Sequence, residues 1–94
     1  MNDNSINNLE ENKEVVFKLK GVIRDLKDKN LSKIYSDCQT SLNKNDKLMF
    51  KFHMTGLLAS LLNKIEQNKI SKTDSLRLNE ITEKYKTLSK LSKM

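Results

Sequence analysis

The chain has 94 residues, a mass of 10.9 kDa and a formal net charge of +6 at pH 7. This length predicts one domain with a modest core and no roomy cofactor cavity. A single cysteine excludes an internal disulfide, and neither a secretion signal nor an apolar run of the roughly 18 to 20 residues that span a bilayer is present, so we expect a soluble cytoplasmic protein.

The first predicted helix follows an asparagine-rich start. We expect residues 1–8 to be flexible and residues 9–94 to form the folded domain. Apolar residues then repeat every three or four positions and predict a helix near 9–28, with a stripe of Val15, Val16, Leu19, Val22, Ile23 and Leu26. Gly21 within it costs about 1 kcal/mol relative to alanine, which is tolerable if another helix crosses closely there.

The second and third helices are predicted near 31–43 and 46–68, with Asn30 as the N-cap of the second. The polar break Asn43-Lys44-Asn45-Asp46 separates the two and supplies the next cap. The second carries Leu31, Ile34, Tyr35, Cys38 and Leu42 on one face. The third has the widest stripe, typical of a central helix: Met49, Phe50, Met54, Leu57, Leu58, Leu61, Leu62 and Ile65.

The fourth helix is predicted near 72–91. Ser71 and Asp74 resemble a capping box with the shorter acid, and Ile70 is placed to pack against the new helix. Its core face carries Leu78, Ile81, Tyr85 and Leu88. Four such stripes joined by short breaks predict an all-α protein, an antiparallel four-helix bundle, which we expect to be a monomer.

The basic charge lies mainly in the second half of the chain. Residues 48–94 carry nine basic and four acidic side chains, whereas residues 1–47 carry nine and eight. This charge either keeps the protein soluble or binds an acidic partner or a membrane surface. If it binds a partner, the candidate contact residues are Arg77, Lys84, Tyr85, Lys86, Lys90 and Lys93, with Tyr85 fitting a core position equally well.

Catalytic signatures are missing from the sequence. One histidine, His53, and one cysteine, Cys38, do not make a metal site, and the chain has no glycine-rich phosphate loop or recognisable carboxylate pair. Cys38 shares its stripe with apolar residues, which favours a protonated, packed thiol. We therefore expect no enzyme, no cofactor and no metal.

The layout from Leu31 to about Lys90 resembles the immunity proteins that protect producers of pediocin-like (class IIa) bacteriocins. The matching segments are Leu42-Asn43-Lys44, Leu57-Leu58-Ala59-Ser60-Leu61-Leu62, and Asn68-Lys69-Ile70-Ser71 followed by Leu78-Asn79-Glu80-Ile81. The resemblance implies a cytoplasmic, non-enzymatic four-helix bundle. It also implies binding, from inside the cell, to a mannose phosphotransferase permease engaged by the bacteriocin, with specificity in the C-terminal half.

Two other functions stay open. One is a small helical regulator or adaptor, of phage or plasmid type, that binds another protein. The other is nucleic-acid binding, which the sequence disfavours because sixteen of its eighteen basic residues are lysine, and lysine lacks the planar fork with which arginine reads phosphates and base edges.

Overall fold

Four helices make up the fold. In a computed structural model, which describes the backbone of residues 3–92 and the side chains of residues 9–89, α1 spans Asp3–Leu26, α2 Lys29–Asn43, α3 Lys47–Glu66 and α4 Lys72–Ser92. They pack antiparallel, α1 against α2 and α4, and α2 against α3, with only sparse contact between α3 and α4. The predicted all-α, antiparallel four-helix bundle is confirmed, and it is elongated, 43 × 22 × 17 Å.

The first helix begins six residues before the predicted start at residue 9. Residues 3–8 contain neither proline nor glycine, so nothing in the sequence interrupts propagation of the helix toward the N-terminus. The helix ends at Leu26, and Lys27 then adopts a left-handed backbone with φ of 52°. The flexibility expected for residues 1–8 stays a prediction.

Short side chains at the breaks fix where the other helices begin. The N-cap of α2 is Asp28, and the prediction of Asn30 was wrong, because the Asp28 carboxylate accepts hydrogen bonds from the backbone N–H groups of Asn30 and Leu31 at 2.9 and 3.2 Å. Asp46 caps α3 by accepting from Met49 N–H at 3.1 Å. Ser71 accepts from the N–H of Asp74 at 3.2 Å at the start of α4, as predicted.

The core matches most of the predicted stripes. Every predicted residue of the α4 face is buried, and so are the α1 and α2 stripes except for the half-buried Leu26 and Ile34. Two α3 residues were placed wrongly: Met49 and Leu62 are 40% and 42% exposed. The two residues lie about 140° apart around the helix, on opposite flanks of its buried face, and both flanks are partly open to solvent.

Polar contacts fasten the helices at points around the core. The Tyr35 hydroxyl donates to the backbone carbonyl of Val16 at 2.7 Å and joins α2 to α1. The ammonium group of Lys64 lies 3.0 Å from the Asp28 carboxylate, so the end of α3 is held at the start of α2. Bonding to Lys64 and to the helix N-terminus lowers the pKa of Asp28. This carboxylate therefore stabilises the fold above its unfolded pKa, and that contribution is lost in acid.

Candidate functional site

A groove runs along the seam between α1 and α4. It has a volume of about 470 Å³. Its floor is formed by Val15 of α1 and Ile81 of α4, and its rims by charged residues of both helices: Lys18, Arg77, Glu80 and Lys84. We call this feature the α1–α4 groove. It brings together two of the predicted contact residues, Arg77 and Lys84, and adds Lys18 from the first half of the chain.

Carboxylates accompany two of the three cations of the α1–α4 groove. The ammonium group of Lys84 pairs with Glu14 of α1, which raises the pKa of Lys84 and lowers that of Glu14, chiefly through the hydrogen bond between them. Arg77 lies 3.7 Å from Asp74 within its own helix. The rims therefore alternate in charge. A polyanion such as nucleic acid would meet carboxylates here, whereas a protein segment with both signs of charge would find partners for both.

The guanidinium group of Arg77 lies over Gly21. A Cβ atom built at Gly21 would sit 3.8 Å from Arg77 Nη1, which is ordinary van der Waals separation. The structure therefore does not show the close helix crossing that would require glycine at position 21. A methyl group at position 21 would fit beneath Arg77 without displacing it.

The remaining predicted contact residues lie elsewhere. Lys86 follows Lys84 by two residues and so points about 200° around the helix from it. It does not line the groove, and its nearest carboxylate is Glu83, 3.9 Å away. The side chain of Lys90, and the whole of Lys93, lie outside the described residues. The structure thus divides the basic residues of α4 between two sides of the helix.

Tyr85 lies in the core, which corrects its grouping with the exposed contact residues. Only 8% of the residue is accessible, and its ring packs edge-on against Phe50 of α3 with the centroids 6.2 Å apart. Burial raises the pKa of its phenol to about 12. The Tyr85 side chain is buried because it lies on the core face of α4, the face that also carries Ile81 and Leu88.

A buried carboxyl group lies beneath the start of α4. Asp74 is 6% exposed, and this burial raises its pKa. The Asp25 carboxyl group, which lies within hydrogen-bonding reach on α1, raises the pKa of Asp74 further. Arg77 and Ser71 lower it and so oppose the shift. A raised pKa means that the folded state binds this proton more tightly than the unfolded state. The resulting stabilisation is complete in acid and is lost as the pH rises through the folded pKa.

We expect Asp25→Asn to stabilise the protein at pH 7, since Asp74 would then ionise without a like charge beside it. The gain should shrink as the pH is lowered, because protonation of Asp74 removes the repulsion between the two carboxylates. Urea unfolding at pH 7 and in acid measures it. Equal stability of the variant and the parent at pH 7 would show that the two carboxyl groups do not interact.

The single thiol is shielded. Cys38 is fully buried among the α2 core residues, and burial raises its pKa to about 12. We expect the native protein to react with a thiol reagent at pH 7.5 at least about a hundredfold more slowly than the urea-unfolded chain, because the reactive thiolate is scarce and inaccessible. Rapid labelling of the folded protein would contradict a structural role for this residue.

Comparisons of the chain with models of known protein families, with curated proteins and with solved structures find no match. Across the described part of the chain, no three His, Cys, Asp or Glu side chains gather as metal ligands would. None of the helices that the structure describes is long and apolar enough to cross a membrane.

Proposed function

We propose that this protein is a non-enzymatic bacteriocin immunity protein. It acts as a cytoplasmic monomer and protects its producer by binding a mannose phosphotransferase-type permease, engaged by a pediocin-like bacteriocin, from the inner side of the membrane. The proposal starts from the resemblance of the residues between Leu31 and Lys90 to that family. The antiparallel four-helix bundle is the architecture that such a protein requires.

The observation that supports binding most directly is the α1–α4 groove. Cations from two helices, Lys18 and Arg77, stand on opposite rims above an apolar floor. Neither helix alone would place cations on both sides of an apolar floor. A protein segment that lays apolar side chains on the floor and charged side chains on the rims can bind there, with electrostatic complementarity fixing its orientation.

Removal of one cation from each rim tests this site. We expect Lys18→Gln combined with Arg77→Gln to lower the bacteriocin concentration that expressing cells tolerate by about tenfold, equivalent to roughly 1.4 kcal/mol of binding free energy. The matched control removes two exposed lysines outside the groove, Lys20→Gln with Lys33→Gln. The proposed site is wrong if both variants protect equally, provided that thermal melts show both to be folded.

The opposite side of α4 has its own test. Lys86 is exposed, and exposed surface substitutions usually change stability by less than about 0.5 kcal/mol, so Lys86→Glu should leave the fold nearly intact. Loss of protection in this variant alone would move the contact surface from the groove to that side of α4. Full protection would remove Lys86 from the mechanism.

A further inference from the structure

Three large apolar side chains lie exposed within the first turns of α3. Leu48 is 77% exposed, Phe52 68% and Met49 40%. Leu48 and Phe52 are one turn apart and therefore share a face, which points away from the buried side of α3 formed by Phe50, Met54, Leu57, Leu58 and Leu61. Single exposed apolar residues are ordinary on protein surfaces, but a contiguous group marks a site of contact. We call these three residues the α3 patch.

Exposed lysines lie next to the α3 patch along the chain. Lys44 is the C-cap of α2, four residues before Leu48, and Lys51 is exposed one residue before Phe52. Asp46, which lies between Lys44 and Leu48 in the sequence, caps the N-terminus of α3. The half-buried His53 packs edge-on against Phe52, with ring centroids 5.5 Å apart. The patch is therefore apolar, with exposed positive charge beside it.

We propose that the α3 patch docks the protein on an anionic lipid surface. Leucine, methionine and phenylalanine side chains enter the boundary between headgroups and acyl chains, while the ammonium groups of the adjacent lysines remain among the anionic headgroups. This docking does not depend on protection against a bacteriocin and goes beyond the proposed function.

A second copy of the chain fits the α3 patch less well. Two patches placed face to face would bring the exposed Lys44 and Lys51 of both molecules together. Each molecule also carries a net charge of +6. Like charges that face each other across an interface suppress association, whereas the same charges favour an anionic surface.

Sedimentation with lipid vesicles tests the proposal on the full chain. We expect binding to vesicles of phosphatidylcholine with phosphatidylglycerol to exceed binding to phosphatidylcholine alone by about tenfold or more, and to weaken as salt is raised. Leu48→Ser with Phe52→Ser should reduce binding about tenfold or more. The matched control, Phe17→Ser with Leu76→Ser, removes two apolar residues that are equally exposed elsewhere, and should bind like the parent.

Fluorescence gives a second readout that does not require a weakened variant. The chain has no tryptophan, so Phe52→Trp introduces a single reporter at the patch and Phe17→Trp a control on α1. Anionic vesicles should shift the emission of Trp at position 52 to shorter wavelength and leave that of the control unchanged.

Three outcomes would overturn docking on lipid. They are equal binding by the patch and control serine variants, absence of a shift at position 52, and a concentration-dependent dimer that Leu48→Ser with Phe52→Ser abolishes in sedimentation equilibrium. The last would identify the patch as an interface between two copies of the chain.

Discussion

Replacing Tyr85 with alanine should lower the free energy of unfolding by about 3 to 5 kcal/mol, the usual cost of removing a buried aromatic side chain. The ring fills a core site against Phe50 and supplies part of the sparse contact between α4 and α3. Urea unfolding followed by circular dichroism measures the change. Tyr85→Phe retains the ring and serves as the matched control, with a much smaller expected cost.

The Tyr85 variants also separate a core role from a binding role. If the ring is a core residue, Tyr85→Ala lowers protection only as far as it lowers the amount of folded protein. Unchanged stability combined with lost protection would return Tyr85 to the group of partner-binding residues and would contradict its placement in the core.

The second large effect is expected in α3. Leu61 is fully buried, and Leu61→Ala should destabilise the protein by about 2 to 5 kcal/mol because it empties a leucine site in the centre of the bundle. The next residue provides the control: Leu62 is 42% exposed, so Leu62→Ala should cost far less. Equal losses at the two positions would mean that α3 is rotated about its axis relative to the structure described above.

Periodicity in the sequence was enough to predict the bundle. The stripes of α1, α2 and α4 contain one apolar face each, so the side that turns inward follows from the sequence. The breaks around Asp46 and Ser71 carry side chains that cap helices by their own chemistry. The start of α2 was missed because Asp28 and Asn30 are both good caps, and only the backbone geometry distinguishes them.

The third helix shows what periodicity alone does not determine. Apolar residues occur on both its inner and outer sides, so the sequence predicted one wide stripe that included Met49 and Leu62. Which of these residues are covered depends on how closely the neighbouring helices pack on each flank of α3. That distance is a property of the whole bundle, and no local pattern encodes it. The α3 patch was missed because Leu48 and Phe52 fall outside every predicted stripe.

The candidate site was predicted in part. The charge distribution drew attention to Arg77 and Lys84, which line the groove, but gave no means of pairing α4 with α1, so Lys18 was missed. Lys86 was grouped with them because it is near in sequence. Residues two positions apart in a helix nevertheless point in nearly opposite directions, as Lys84 and Lys86 do. An explicit pairing of the first and last helices, expected for an antiparallel bundle, would have been the signal for Lys18.

Protection of living cells tests the central proposal most directly. A strain sensitive to pediocin-like bacteriocins, expressing this chain, is challenged with a panel of such bacteriocins beside a vector control, with expression checked by immunoblot. We predict growth of the expressing cells, for at least one bacteriocin, at concentrations that kill the control. Killing of both strains by every member of the panel would contradict the immunity function and leave a helical regulator or adaptor as the better account.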